Sequence, residues 1–512
     1  MTQQRQGQAL SPGRRSGVSL HITSLPGRYG IGEIGAQARH FVDRLQAMQM
    51  GVWQLLPTGP TGYGDSPYQS LSTFAGNEML IDIGDLVERG MLRHGEPQPL
   101  EGLPESSVDY GKLIPVKNAL LKIAAGRFAA VADSTLKSEL DDFLEANDRN
   151  WLHDYALFRM LKTRHGERPW SEWQPEYVHR DSLALHKLEA DAGRELEAIK
   201  IIQFLFRRQW QQLREYAISN GVRIFADLPI YIALDSADAW ANPELLQIDR
   251  DGKPSHVAGV PPDYFSEDGQ LWGNPLYAWE VHAADGYRWW IKRLQASTEL
   301  ADIIRIDHFR GFESYWSVPA GANNAREGAW LPGSGGAIFD AIKTTLGELP
   351  IVAEDLGIIT PAVEALRDNY GLPGMTVLQF AVDDHDFTLD SVAENRVCYT
   401  GTHDNDTTLG WFRGSPDDMR SIDEITRTRN AVLQLTGGTP ETIHTDLIKA
   451  AFATRARLAI APLQDYLGLG SEARINTPGT THHNWRWRAL DIQLDEQFCD
   501  AVAGLVDDAG RA

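Results

Sequence analysis

The sequence has very little cysteine. Cys398 and Cys499 are the only two among 512 residues. Two cysteines cannot build a disulfide framework, and a zinc site made mainly of cysteines takes three or four of them. Because disulfides accumulate in oxidising compartments, this scarcity favours a reducing one. Residues 1–17 also lack the apolar stretch of a secretory signal. We therefore expect a cytoplasmic protein.

Long apolar runs and an excess of positive charge are also missing. The sequence has no uninterrupted apolar run of about 18 residues, so it predicts no membrane-spanning helix. Lysine and arginine number 48 against 70 aspartates and glutamates, which gives a net charge of −22. A chain this acidic binds phosphate backbones poorly, so nucleic acid is not an expected partner. With 42% hydrophobic and 23% charged residues, the composition is that of a globular protein.

Short runs rich in valine, isoleucine and aromatic residues recur along the chain. Such runs, bounded by glycine or proline, are typical of buried parallel strands. The predicted strands are Val18–Leu25, Val52–Pro57, Val222–Tyr231, Ile303–Phe309, Ile351–Leu356, Met375–Phe380, Arg396–Gly401 and Ala473–Asn476. Helical patterns separate most of them, and at one such start Thr360 and Pro361 provide an N-cap and a first-turn proline. Eight alternating units predict an α/β fold, the (β/α)8 TIM barrel.

The uneven spacing of these strands indicates large insertions in a single catalytic barrel that spans residues 1–512. Residues 86–213 carry helical periodicity, and we interpret them as an inserted, mostly helical subdomain. Residues 242–287 are rich in proline, glycine and aromatic residues, and we interpret them as a long inserted loop. Loops of this length inside a compact domain are usually functional, so we expect this one at the active site.

Acidic residues lie where several predicted strands end. Asp227, Asp307, Glu354 and Asp404 each occupy the carboxyl end of a different run. In a TIM barrel, the carboxyl ends of the strands build the active site. Leu-Pro follows Asp227 and His-Phe-Arg-Gly follows Asp307, so neither residue precedes a helix that it could cap. We therefore predict that the four carboxylates share one catalytic site.

Converging carboxylates suit two kinds of chemistry. In glycosidic bond cleavage, an acid protonates the leaving oxygen and a carboxylate attacks the anomeric carbon or positions water. Alternatively, oxygen ligands bind a divalent metal, as in barrel enolases and isomerases. Arg305 lies two residues before Asp307, where its charge would keep Asp307 ionised but would repel a metal. This favours glycosidic chemistry without a metal or cofactor. A non-catalytic sugar-binding barrel is a further alternative.

Four motifs resemble those of the 4-α-glucanotransferases, the amylomaltases or disproportionating enzymes of glycoside hydrolase family 77 in the α-amylase superfamily. They are RIDHFRGF (Arg305–Phe312), VAEDLG (Val352–Gly357), THDND (Thr402–Asp406) and ARINTPGT (Ala473–Thr480). The resemblance covers nearly the whole chain. It implies transfer of a segment of an α-1,4-glucan to the 4-hydroxyl of an acceptor by a retaining double displacement. An α-amylase-like retaining hydrolase is the alternative, because the carboxylates alone do not distinguish the two.

The resemblance also implies substrates and residue roles. Maltooligosaccharides and glucans derived from starch or glycogen would be donors, and glucose would be an acceptor. Asp307 matches the nucleophile, Glu354 the general acid/base and Asp404 the carboxylate that binds the distorted sugar. The residues expected to bind substrate are Tyr68, Asp227, Arg305, His403 and Asn476. In the 242–287 insertion, Tyr264 and Trp272 are further candidates for stacking on glucose rings.

Retention of configuration makes two physical demands on the site. The carboxyl groups of the nucleophile and the acid/base should lie about 5–5.5 Å apart. Glu354 must be protonated when it donates, so we expect burial and nearby anions to raise its pKa.

Overall fold

The computed structural model describes residue 10 and residues 13–262, 267–348, 350–415, 418 and 420–512. Its strands, in chain order, are β1 (Arg15–Ser19), β2 (Val52–Gln54), β3 (Arg223–Leu228), β4 (His256–Val260), β5 (Gln270–Pro275), β6 (Ile303–Ile306), β7 (Ser314–Pro319), β8 (Ala329–Pro332), β9 (Ile351–Ala353), β10 (Gly374–Val377), β11 (Arg396–Tyr399) and β12 (Leu458–Pro462).

Within this part of the chain, eight parallel strands form the main sheet in the order β10-β11-β12-β1-β2-β3-β6-β9. This order follows the chain once around a circle. The two outermost strands also meet, because the backbone N–H of Ala353 in β9 donates a hydrogen bond of 2.8 Å to the carbonyl of Pro373, just before β10. The sheet therefore closes into the predicted (β/α)8 barrel.

Short runs of large apolar side chains fill the barrel interior. The buried cluster there contains Leu10, Val52, Phe225, Ile303, Val352, Met375, Val377, Val397, Tyr399, Leu458 and Ile460. Burial of each such side chain stabilises the fold by about 1.5–3 kcal/mol. Burial on both faces therefore stabilises these strands although they are short.

The predicted position of the eighth strand, Ala473–Asn476, is wrong. The structure places β12 at Leu458–Pro462, paired in parallel with both β1 and β11, whereas Ser471–Ala473 forms a 3₁₀ helix. The β12 sequence LAIAP contains two alanines, which favour helices over strands, and it follows a helix closely. Only its pairing partners on both sides make this segment a strand. The other seven predicted strands overlap observed ones.

Helices surround the barrel. In chain order they are α1 (Ala36–Ala47), α2 (Ile83–Glu88), α3 (Tyr110–Val131), α4 (Ser134–Asn147), α5 (His153–Arg164), α6 (Pro175–Val178), α7 (Ser182–Ser219), α8 (Ala237–Ala241), α9 (Trp279–Ala284), α10 (Arg288–Leu300), α11 (Ala337–Leu346), α12 (Pro361–Asn369), α13 (Leu378–Ala381), α14 (Thr408–Arg413), α15 (Ile422–Thr436), α16 (Ile443–Ala453), α17 (Leu463–Tyr466) and α18 (Glu496–Ala509). None of the helices described here is long and apolar enough to cross a membrane.

Helices α2 to α7 all lie between β2 and β3, so residues 86–213 are mostly helical, as the sequence indicates. The α12 helix also begins as predicted, because the Oγ1 of Thr360 accepts a hydrogen bond of 3.4 Å from the N–H of Val363. Local sequence therefore accounts well for the helices.

A second, antiparallel sheet has the strand order β5-β4-β7-β8. Its strands β4 and β5 lie within residues 242–287, so this region is not the continuous loop that its composition suggests. The β4 strand pairs with β5 and with β7, which follows the sixth strand of the chain. The partner β7 is distant in the sequence, so composition within 242–287 cannot reveal the pairing. The chain between β3 and β6 and the chain between β6 and β9 thus each contribute two strands to the second sheet.

Candidate active site

Backbone hydrogen bonds set three of the four predicted acidic residues, Asp227, Asp307 and Glu354, side by side at the carboxyl end of the barrel. Asp227 on β3 lies opposite Arg305 on β6 in the parallel register. The N–H of Asp307 donates to the carbonyl of Leu228 at 3.0 Å, and that of Glu354 donates to the carbonyl of Ile306 at 3.0 Å. The ladder thus continues beyond the strands and orders the first residues of each loop.

A buried arginine lies at the centre of the site. The Nη1 of Arg305 is 2.7 Å from each carboxylate oxygen of Asp227 and 2.9 Å from Oδ1 of Asp307. The side chains of Arg305 and Asp227 are 6% and 1% exposed, whereas that of Asp307 is 28% exposed. Burial raises the pKa of Asp227 although Arg305 opposes this shift. Arg305 thus bridges the two carboxylates, and Asp307 is the one that solvent reaches.

Glu354 has the environment of a general acid. Its Oε2 accepts a hydrogen bond of 2.7 Å from the N–H of His308, and its Oε1 accepts one of 2.8 Å from the N–H of Leu356. Burial, with a smaller contribution from Asp307, raises the pKa of Glu354 to about 7 although Arg305 opposes the shift. This agrees with the expectation from the sequence. A carboxyl group with such a pKa can give up and recover a proton near neutral pH.

Two side chains orient Asp404. The Nδ2 of Asn476 donates to its Oδ1 at 2.6 Å, and the Nε2 of His403 lies 3.3 Å from its Oδ2. The side chain of Asp404 is 50% exposed. It does not cap the following helix α14, because the hydroxyl of Thr407 accepts the capping hydrogen bond. Asp404 is therefore held in place and open to the cleft.

Aromatic rings form a wall beside these carboxylates. The hydroxyl of Tyr68 donates to Oδ2 of Asp227 at 2.6 Å, and its ring stacks on that of His403 with centroids 4.9 Å apart. The ring of Trp485 lies 6.0 Å from each of these two rings. Sequence reasoning did not include Trp485 in the site. It lies in the segment HHNWRWR (His482–Arg488), but nothing in that segment indicates which residues its rings contact.

The second sheet reaches the site through Trp272 on β5. Its ring meets that of His308, the residue after Asp307, edge to face at 4.8 Å. Tyr277, another aromatic residue of the 242–287 region, is 1% exposed and its hydroxyl donates to the carbonyl of Ile230. Tyr277 therefore packs in the core and offers no face to a ligand. Tyr264 lies outside the described residues.

The site thus joins a carboxylate in contact with a buried arginine to a second carboxyl group whose pKa is raised to about 7. Retaining glycosidic bond cleavage uses two neighbouring carboxyl groups, one that attacks and one that transfers a proton. In the part of the chain that the structure describes, no group of three or more His, Cys, Asp or Glu side chains is arranged to hold a metal ion.

Comparison with known proteins agrees with this chemistry. The family model of glycoside hydrolase family 77, described as 4-alpha-glucanotransferase, matches residues 20–493. The chain belongs to the 4-alpha-glucanotransferase family. A 4-alpha-glucanotransferase of Thermus thermophilus is 46% identical over 495 residues, which cover 94% of this chain and 96% of the relative. The chloroplastic/amyloplastic 4-alpha-glucanotransferase of Solanum tuberosum is 41% identical, with 93% and 82% covered.

A solved structure of the 4-alpha-glucanotransferase family has the same fold. The amylomaltase from Streptococcus agalactiae in complex with acarbose is 36% identical and superposes with a TM-score of 0.91, covering 98% of this chain and 100% of that one. Family membership makes this chain a retaining 4-alpha-glucanotransferase and does not favour the α-amylase-like hydrolase.

Proposed function

We propose that this enzyme disproportionates maltooligosaccharides through Asp307, Glu354 and Asp404. The observation that carries the assignment is the contrast between two neighbouring carboxyl groups. Asp307 contacts the permanently charged Arg305, whereas burial raises the pKa of Glu354 to about 7. Where the environments of two neighbouring carboxyl groups differ in this way, one group attacks the substrate and the other transfers the proton.

In the first half of the reaction, a carboxylate oxygen of Asp307 attacks C1 of the donor sugar. The bond from C1 to the glycosidic O4 breaks, and Glu354 transfers its proton to that oxygen. The guanidinium of Arg305, 2.9 Å from Oδ1 of Asp307, offsets the negative charge of the attacking carboxylate. Asp404, oriented by His403 and Asn476, binds hydroxyl groups of the same sugar as its ring flattens.

In the second half, the 4-hydroxyl of an acceptor glucose or glucan attacks C1 of the glycosyl–enzyme from the opposite face. Glu354, now ionised, removes the proton of this hydroxyl, and the bond to Asp307 breaks. Two inversions restore the α configuration. The separation of about 5–5.5 Å between the two carboxyl groups, which this double displacement requires, stays a prediction.

Substrate binding is assigned to the walls of the same cleft. Tyr68 and Asp227, which share a hydrogen bond, lie on the side of His403, whereas Trp272 lies beside His308 on the side of Glu354. We assign the first pair to the donor sugar and Trp272 to stacking on the acceptor. Donors are then maltooligosaccharides and longer α-1,4-glucans, and the smallest acceptor is glucose.

We assign residues 86–213 to an inserted helical subdomain of one catalytic barrel, and residues 242–287 to the active-site region that contributes Trp272. Both cysteines are buried free thiols. Free thiols persist in a reducing compartment, which supports a cytoplasmic location.

Incubation of the purified enzyme with maltotriose alone tests the proposal. Transfer gives glucose together with a ladder of longer maltooligosaccharides, whereas hydrolysis gives glucose and maltose without longer products. We expect the ladder, and expect Asp307→Asn and Glu354→Gln each to abolish it while the circular dichroism spectrum stays that of the wild type. Asp141→Asn, at an exposed aspartate on α4, serves as the matched control. Wild-type rates for Asp307→Asn would refute the assignment of the nucleophile.

A further inference from the structure

Trp485 has an unusual backbone conformation for a large residue. Its φ is 64°, in the left-handed region, and its side chain is 6% exposed. A residue with a bulky side chain adopts this conformation only where its surroundings hold it there, and such positions cluster at functional sites. The contacts of Trp485 therefore show what holds it and which residues it supports.

Hydrogen bonds hold Trp485 on both sides of its α-carbon. Its N–H donates to the carbonyl of Ile475 at 2.7 Å, and its carbonyl accepts a hydrogen bond of 3.0 Å from the hydroxyl of Tyr110. Ile475 immediately precedes Asn476, which orients Asp404. Tyr110 is the first residue of α3, so the second anchor comes from the helical insertion.

The segment before α3 is attached to the same stretch of chain. The N–H of Val108 donates to the carbonyl of Arg486 at 2.8 Å, and the N–H of Arg488 donates to the carbonyl of Ser106 at 3.0 Å. Tyr110 is itself 5% exposed, so water does not compete strongly for its hydroxyl. The insertion thus forms a short ladder along Trp485–Arg488, and Tyr110 closes it at the end nearest the active site.

The indole of Trp485 in turn supports the donor side of the cleft. It lies against the stacked rings of Tyr68 and His403, which contact Asp227 and Asp404 respectively. A ring in this place limits how far the stacked pair can move away from the carboxylates. Small displacements at such a site are costly, because the transition state requires closely defined geometry.

We propose that Trp485 is a positioning residue for Tyr68 and His403, and that Tyr110 positions Trp485. This inference rests on the proposed function, because it assigns Tyr68 and His403 to the donor sugar. It gives the helical insertion a part in catalysis: the insertion supplies the hydroxyl that keeps Trp485 in its left-handed conformation against the site.

Tyr110→Phe removes this hydroxyl and little else. A hydrogen bond of this kind is worth on the order of a fivefold change in an equilibrium or rate constant. We expect kcat/KM for maltotriose disproportionation to fall by about that factor, through kcat rather than KM, because the lost contact orients groups used in the transition state. The matched control is Tyr216→Phe, which removes a tyrosine hydroxyl on α7 that donates a hydrogen bond to Asp43 on α1.

The control separates positioning from general stability. Tyr110→Phe loses the hydrogen bond from α3 to Trp485, and Tyr216→Phe loses the one from α7 to Asp43 on α1. Both variants are therefore expected to lower the melting temperature slightly, but only Tyr110→Phe lowers kcat. Equal kinetics for the two variants would overturn the inference. If the wild type itself made no longer maltooligosaccharides, the proposed function would fail instead, which is a distinct result.

A double-mutant cycle tests whether Tyr110 acts through Trp485. We expect Trp485→Phe alone to lower kcat, and the double variant with Tyr110→Phe to be impaired by less than the product of the two single effects. Multiplicative effects would show that the two residues act independently, against the inference. Trp485→Phe also keeps the question testable if Tyr110→Phe does not fold, because wild-type kcat in Trp485→Phe would by itself refute the positioning role.

Discussion

Replacing Glu354 by glutamine should remove activity and, above neutral pH, increase stability. Desolvation of the carboxyl group of Glu354 by the surrounding protein raises its pKa from 4.5 to about 7. A raised pKa means that the folded state disfavours the ionised form. The cost is absent below the pKa of Glu354 in the unfolded chain, grows between that pKa and the folded pKa, and is constant at higher pH.

The size of the effect follows from the two pKa values. A difference of about 2.5 units corresponds to about 3 kcal/mol of lost stability well above pH 7, but to less than about 1 kcal/mol at pH 5. Glutamine carries no charge and avoids this cost at every pH. It has one acceptor oxygen, so one of the two hydrogen bonds from His308 and Leu356 is lost, at about 1 kcal/mol. This second cost does not depend on pH.

Thermal unfolding of the wild type and Glu354→Gln at a series of pH values checks this reasoning. For a chain of 512 residues the unfolding entropy is about 1 kcal/mol per kelvin, so the melting temperature of the variant relative to the wild type should rise by about 2 °C between pH 5 and pH 8. Glu215→Gln, at an exposed glutamate on α7, should show no such trend. A difference in melting temperature between variant and wild type that stays constant with pH would refute the raised pKa of Glu354.

The same pKa and other contacts of the site lead to further predictions. For the wild type, kcat/KM should fall about tenfold per pH unit above pH 7, because Glu354 must be protonated to donate; a flat profile from pH 7 to 9 would contradict this. Asn476→Ala should lower kcat about tenfold in the maltotriose assay, because Asp404 loses the donor at 2.6 Å, and an unchanged kcat would refute its orienting role. Asp355→Asn should lower the melting temperature by about 3 °C, since Asp355 is buried and paired with Arg367 and Arg396; an unchanged value would show that these ion pairs are dispensable. Excess chelator should leave activity unchanged, whereas inactivation would indicate metal-dependent chemistry.

The predictable part of the fold is the part that depends on local sequence. The apolar runs around Val52, Ile303 and Ile351 mark strands because burial on both faces requires continuous apolar residues. Helix α12 begins at its predicted cap because Thr360 and Pro361 act within one turn. The strand β12 was missed because its alanine-rich sequence has no strand preference of its own.

The candidate site likewise depends partly on local sequence and partly on the folded chain. The positions of Asp227, Asp307 and Glu354 at strand ends were sufficient to group them, because parallel strands in a barrel all end at one rim. Their electrostatic roles depend on distances. The contact of Arg305 with both aspartates agrees with its spacing along β6, but the hydrogen bonds that hold Glu354 come from loop residues whose conformation only the folded chain defines.

The sequence by itself determined the class of fold, the carboxylates at the barrel rim and the family, because each follows from short segments of chain. Tertiary structure alone decided that residues 242–287 contribute two strands to a second sheet and that Tyr277 is buried in the core. It also decided that Trp485 packs against Tyr68 and His403. The physical reason is that these features are contacts between segments far apart in the sequence. Their free energy depends on which surfaces meet after the barrel closes, and no local pattern encodes that choice.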